Sequence, residues 1–172
     1  MYNVAFQNCI DSPWTHMEPL VLGQVPGGRG TTGAFVVVEA NDEPLLRVDL
    51  YSGSACFAFE DAIVWSGLLV IGWGERLYLV DLDTHASAVS ELGGYFGHLY
   101  AAADYLLIAS CDRLFRFAAD RTMLWRSERL GIDGVIVDSV AEGVVRGQGE
   151  WDPPGGWIPF TLDLTTGADA TP

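Results

Sequence analysis

Gly28, Gly30 and Gly33 stand in the spacing Gly-x-Gly-x-x-Gly within the stretch VPGGRGTTGAFVVV, residues 25–38. That spacing outlines a loop that cradles a dinucleotide pyrophosphate, and the chemistry requires a helix directly after the loop, because amides at a helix N-terminus hold the phosphates. The glycines run instead into AFVVVEAN. Aromatic and β-branched residues in succession specify a strand and leave no place for a helix to begin at Ala34. Every basic residue of the chain is Arg, so the lysine of a phosphate-cradling nucleotide loop is missing as well. The glycines are expected to form a connecting loop, and no cofactor is expected.

The stretch DLDTH places Asp81, Asp83 and His85 at alternate positions, which on an extended strand would share one face and could meet a divalent metal. Asp and Thr are also the ordinary chemistry of a turn leaving a strand, and that reading is preferred, with no metal expected. His16 and His98 have no neighbouring carboxylate pattern. Ser66, in WSG, lacks the glycine two residues earlier that a nucleophile elbow needs. The neighbouring carboxylates Asp42 and Glu43, or Glu60 and Asp61, fall in turns. No catalytic residue is assigned.

The stretch GEWDPPGGWIPF, residues 149–160, carries Trp151 and Trp157 on either side of two prolines and two glycines. A long hairpin tip that holds two large rings on a pre-ordered loop provides what an interface anchor needs. Folding of the rings back onto the sheet is the alternative. Glu150, Trp151, Asp152 and Trp157 are the expected partner-binding residues, the two carboxylates being placed to meet a basic partner.

These residues need a scaffold, and the chain spells one out as repeats. Short β-branched and aromatic runs punctuated by Gly, Asp and Asn recur throughout, with almost no helical periodicity. Residues 36–60, 68–91, 105–128 and 144–167 align as copies: an apolar strand, a polar turn, a second strand, and a turn marked by Asp, Ser, Thr or Gly. In the first three copies a further short strand ends in Glu60, Glu91 or Glu128. The intervening stretches AIVWSG, HLYAAAD and GVIVDSVAEG each read as one more strand feeding the next copy. RVDLYSG, LVDLDT and LDLTTG resemble the strand-to-turn pattern of β-propeller blades of the WD and quinoprotein type, without a closing Trp-Asp pair. That resemblance implies an all-β, propeller-like domain of about four four-stranded antiparallel meanders. A β-sandwich of the same hairpins is the alternative. One domain of 172 residues is expected: an N-terminal segment with the Gly-rich loop (1–33), the repeats (34–167) and a short tail (168–172). Residues 19–25, PLVLGQV, could supply the strand that locks the first blade to the last.

Nine basic and 23 acidic residues give a net charge of −14. Phosphate neutralisation needs a basic face, so a nucleic-acid partner is not expected. Arg113, Arg116, Arg121, Arg126 and Arg129 do cluster, but Asp112, Asp120 and Glu128 are interspersed among them. A large acidic surface speeds encounter with basic proteins, and such a partner is expected. No stretch has the length of a membrane-spanning helix and the N-terminus lacks a signal-peptide pattern, so a cytoplasmic protein is expected. Cys9, Cys56 and Cys111 show no paired spacing and are expected to be buried thiols. Composition is similar to that of bacterial immunity proteins that neutralise basic toxins. The expected function is thus non-enzymatic occlusion of a protein partner, with a small enzyme or carbohydrate-binding protein using the tryptophan loop as the alternative.

Overall fold

The computed structural model describes residues 1–23, 32–51 and 59–170. They form four sheets. The first contains β1 (Tyr2–Gln7), β2 (Leu20–Gly23), β3 (Ala34–Ala40) and β4 (Glu43–Tyr51) in the order β1-β3-β4-β2. The second is a meander of β5 (Glu60–Trp65), β6 (Leu68–Trp73), β7 (Arg76–Asp81) and β8 (Ser87–Glu91). The third repeats it with β9 (Phe96–Ala102), β10 (Tyr105–Ser110), β11 (Leu114–Phe117) and β12 (Met123–Arg126). The fourth has three strands, β13 (Val135–Ala141), β14 (Val144–Glu150) and β15 (Trp157–Asp163). An isolated bridge between Leu162 and Asp169 adds the beginning of an outer strand. The chain is all-β and its sheets are blades of a propeller-like stack, with β1, β5, β9 and β13 as successive neighbours on the inner side. Four consecutive sheets, instead of two facing ones, exclude the sandwich.

Alternation of side chains across a strand explains how the sheets stack. In β6, Leu69, Ile71 and Trp73 enter a core shared with the first sheet, including Val36, Val48 and Leu50. Leu68 and Val70 point the other way, into a core shared with Phe96, Leu106 and Ile108 of the third sheet. β10 repeats the arrangement: Leu106 and Ile108 face back, while Leu107 and Ala109 join Val135, Val137, Val145 and Leu162 of the fourth sheet. A strand covered on both faces is apolar along its covered length, which is why LLVIGW and YLLIA read as apolar runs, Ser110 ending β10 with its hydroxyl hydrogen-bonded to Asp112. Each fully buried Leu or Ile contributes roughly 1.5–3 kcal/mol. Among the described residues, three buried clusters join consecutive sheets and none joins the fourth sheet to the first.

Of the stretch 19–25, residues 19–23 are described, and these do not lock the first sheet to the last; residues 24 and 25 lie outside the described set. β2 instead pairs in parallel with β4, Leu20 opposite Val48, at the outer edge of the first sheet. It occupies the place that the outer strands β8 and β12 take in the next two sheets. Glu60 correspondingly opens β5 instead of ending an outer strand, and residues 52–58 lie outside the described set. Between β1 and β2 the chain crosses the far face of the first sheet. There Trp14 is 5% exposed, and its carbonyl accepts a hydrogen bond from Nη1 of Arg47 at 3.3 Å. Arg47 also makes a bidentate pair with Asp49, 2.8 and 2.9 Å, and lies over the Phe35 ring.

The cysteines depart from expectation. Cys9 is exposed, because it lies just after β1 where the chain leaves the sheet, Cys111 is half-buried at a turn, and Cys56 lies outside the described residues.

Candidate functional site

The strands of each sheet turn at two ends, and one end gathers most of the unusual side chains. At this end β3 and β4 are joined by Asn41 and Asp42, β6 and β7 by Gly74 and Glu75, and β10 and β11 by residues 111–113. The corresponding connection in the fourth sheet, residues 151–156, is the longest of the four, as the sequence indicated. Its base is pinned by two backbone bonds, Trp151 N donating to Gly156 O and Gly156 N donating to Asp152 O, each 2.9 Å. The Gly155 amide donates to Oε1 of Glu150 at 2.7 Å. Glu150 is thereby held by its own hairpin.

Equivalent positions of three sheets converge here. Phe59 immediately precedes β5, Tyr95 precedes β9 and Gly134 precedes β13. The same register makes Cys111 N donate to Tyr95 O at 3.0 Å and Glu150 N donate to Gly134 O at 2.9 Å. Between the third and fourth sheets Phe59, Tyr95, Gly134 and Glu150 line a cleft of about 210 Å³, together with His98, Asp133, Ile136 and Trp157. The Phe59 ring lies 6.0 Å from that of Tyr95 and 5.4 Å from that of His98, centroid to centroid. The Trp157 ring covers Gly134, where a Cβ would come within 2.9 Å of Cη2. That close approach is the physical reason for a glycine at this position, and the same Cβ would lie 3.7 Å from Oε2 of Glu150. Ring and carboxylate therefore share one wall.

The Tyr95 hydroxyl donates to Asp133, whose Oδ1 is 3.0 Å away, and ties the entry of the third sheet to the loop before the fourth. Burial pushes the Tyr95 phenol far above its usual range, and the hydrogen bond and charge of Asp133, with Cys111 and Glu150 behind it, push the same way. Burial likewise raises the Cys111 thiol, with Asp112 adding to the effect. Among the described residues Asp133 and Glu150 belong to no ion pair; the nearby Arg113 and Arg129 instead approach Asp112, at 3.6 and 3.7 Å.

Of the expected binding residues, Glu150 and Trp157 line this cleft. Trp151 and Asp152 are exposed on the adjoining loop, Trp151 at 39%. Phe59, Tyr95, His98 and Asp133 were not singled out from the sequence as parts of a site, although the alignment of the repeats carries the signal that puts residues 59, 95 and 134 at one end. Gly28 and Gly30 lie outside the described residues. Gly33 donates its amide to Leu50 O at 2.8 Å and leads into the strand β3.

Asp81, Asp83 and His85 do not share a strand face, because β7 ends at Asp81 and the chain turns. Oδ1 of Asp81 accepts from the amides of Asp83 and Thr84 and from Oγ1 of Thr84. His85 takes φ +58°. The same turn recurs after β15, with Oδ1 of Asp163 accepting from the amide and hydroxyl of Thr166, and Gly167 at φ +71°. These hydrogen bonds, the side-chain one of Thr first, hold both carboxyls below their usual range. The repeated element is a structural turn, and among the described residues no group of three His, Cys, Asp or Glu is arranged to hold a metal.

No protein-family profile and no curated protein matches the chain. Among solved structures it is similar to BamB from Moraxella catarrhalis, a β-propeller, at a TM-score of 0.54 and 13% identity. The match covers 83% of this chain and 44% of that chain, so the chain spans less than half of BamB's length. At that identity the likeness shows the propeller type of fold.

Proposed function

We propose that the chain is a non-enzymatic binding module that engages a protein partner through the end of the stack formed by residues 151–157 and the adjoining cleft. The observation that carries this reading is the coincidence of exposed rings with carboxylates that lack an internal counter-charge: Phe59 is 44% and Trp151 39% exposed, beside Glu150 and Asp133. Large rings with few rotatable bonds bring contact area at low entropic cost, and they dominate the energy of protein interfaces. Unpaired carboxylates around them favour a partner with a basic surface. In its narrower form the partner is a basic toxin met in the cytoplasm and occluded sterically, which rests on the net charge of −14.

A photo-crosslinking residue at position 151 in the native cell, with position 142 at the opposite end as control, tests the proposal. A single protein crosslinked from 151 and not from 142 is expected, with Trp157→Ala weakening its measured affinity by about thirtyfold, the equivalent of a 2 kcal/mol hot spot. Equal crosslinking from both ends, or an affinity indifferent to Trp157→Ala in a folded variant, would refute it.

A further inference from the structure

The cleft between the third and fourth sheets has a composition that points to a particular chemical group. Its volume, about 210 Å³, is below the roughly 300–1,000 Å³ of pockets that enclose whole small ligands, and suits one side chain. Its walls carry the rings of Phe59, Tyr95, His98 and Trp157. Each of its carboxylates has one oxygen occupied from within: Oδ1 of Asp133 accepts from the Tyr95 hydroxyl and Oε1 of Glu150 from the Gly155 amide. Among the described residues Oδ2 of Asp133 and Oε2 of Glu150 accept no hydrogen bond. Among the described residues, Arg129 is engaged with Asp112 and the Gly131 carbonyl, and Arg113 with Asp112 and the Ser127 carbonyl.

We propose that the cleft seats one arginine side chain of the partner, its guanidinium plane against the aromatic walls and its N–H groups donating to the free oxygens of Asp133 and Glu150. This rests on the binding reading above and deepens it. The assignment comes from matching chemistry. Asp133 is exposed and Glu150 half-buried, and neither has a counter-charge among the described residues, so the two carboxylates at the rim of the cleft attract a cation. Aromatic faces attract a cation within about 6 Å of the ring centroid. Arginine satisfies both needs because its planar, weakly hydrated fork stacks on rings while presenting donors in fixed directions, whereas a lysine ammonium is a strongly hydrated point charge. A hydrated metal ion would use the carboxylates and leave the rings without a role.

The test uses the full chain and three blocked tripeptides, Gly-Arg-Gly, Gly-citrulline-Gly and Gly-Lys-Gly. The readout is the NMR shift of the Trp157 indole N–H and the Gly134 amide. Citrulline keeps the shape of arginine and removes its charge. The expected result is saturable shifts with the arginine peptide, binding at least about tenfold weaker for citrulline and for lysine, and a similar loss in the Asp133→Asn, Glu150→Gln double variant. Asn and Gln keep the acceptors for Tyr95 and Gly155, so the variant's melting temperature should stay near that of the parent. Arginine and citrulline titrating alike, lysine matching arginine, or no shift of Trp157 with any peptide would overturn the assignment. If the arginine peptide fails while Trp157→Ala still weakens the crosslinked partner, the binding reading survives and this inference falls. If the peptide binds as expected while the partner ignores Trp157→Ala, the cleft is an arginine site and the partner-binding reading falls.

Discussion

Replacing Trp125 by Ala should loosen the fourth sheet while leaving the second folded. Trp125, on β12, is 8% exposed and belongs to the cluster that joins the third and fourth sheets. Its ring lies over Gly167, where a Cβ would come within 2.6 Å of Cδ2, and its Nε1–H donates to the Leu164 carbonyl at 2.8 Å. A buried aromatic removes about 150–250 Å² from water, and its truncation to Ala costs about 3–5 kcal/mol once the cavity is included. Loss of the indole N–H adds little, because the Leu164 carbonyl keeps the Nη1 donor of Arg116 at 2.8 Å. The whole cost therefore falls on packing between two sheets. Where the fourth sheet is attached through that interface alone, the cost lowers the free energy of its local opening. Hydrogen exchange measured by mass spectrometry should show amides of β13–β15 exchanging about a hundred- to several-thousandfold faster, at about 1.4 kcal/mol per decade. β6 and β7 should keep the protection of the parent protein. Equal loss of protection in β6 and β14 would refute the reasoning, since it would require the fourth sheet to be tied to the others by more than this interface.

The geometry dictates four further outcomes. Trp157→Ala should destabilise by about 1–2 kcal/mol, because the ring is half-buried, and Trp151→Ala by less than about 1 kcal/mol; chemical denaturation would rank them, and the reverse order would move Trp151 into the core. Gly134→Ala should retain the fold yet reduce binding of the arginine peptide, since its Cβ would press on Trp157 at 2.9 Å; unchanged peptide affinity would mean that the ring is not a wall of the site. Asp49→Ala should cost about 3 kcal/mol in urea denaturation, because it leaves Arg47 on a covered face with its carboxylate partner removed, and Arg47→Met in the same chain should restore most of that loss. Burial raises the phenols of Tyr78, Tyr95 and Tyr100, so the folded chain holds these protons more tightly than the unfolded chain. Their stabilisation is present below about pH 10 and is lost as pH rises through the folded values; melting temperature should fall above about pH 10 and fall less in Tyr95→Phe.

Much of the stack was legible because burial on two faces leaves a mark that burial on one face does not. LLVIGW is apolar throughout and YLLIAS up to its final Ser110, and both proved to be second strands of internal sheets. VVRGQGE alternates, and β14 buries Val145 while exposing Arg146. The alternation of β14 thus marks a sheet covered on one face only, whereas β3, whose far face is covered by the segment from β1 to β2, buries Val36, Val37 and Val38 in succession. The role of residues 20–23 was not legible: LVLG pairs in parallel with a strand more than twenty residues later in the chain, and nothing local specifies a non-sequential partner. The cleft was half legible. Trp157 and Glu150 announced themselves through a hairpin longer than its counterparts, whereas Phe59, Tyr95 and Asp133 carry no signal within their own segments. They meet only because each stands at the entry to an inner strand, and the stacking of blades brings those entries together.

The two ends of the stack differ in a way that bears on where binding occurs. On the first sheet, the face turned away from the second is covered: Trp14 is buried there, and the Arg47–Asp49 pair and Phe35 are drawn into one cluster by the segment that crosses from β1 to β2. On the fourth sheet, the face turned away from the third presents Ile136 opposite Gln148, which in turn lies opposite Pro159, with Ile136 38% exposed. The covered end has spent its aromatic and ionic side chains on closing the sheet. At the other end Trp151, Trp157 and Glu150 stand on the loop that joins the last two strands. The cleft lies at the joint between the third and fourth sheets, with Tyr95 on one side and Gly134 on the other. A small tilt of the last sheet about that joint would change the distance between the two walls, so a ligand bridging them would stabilise the interface it occupies. Ligand-induced protection of β13–β15 against exchange, stronger than that of β1 and β3, is the signature this coupling predicts.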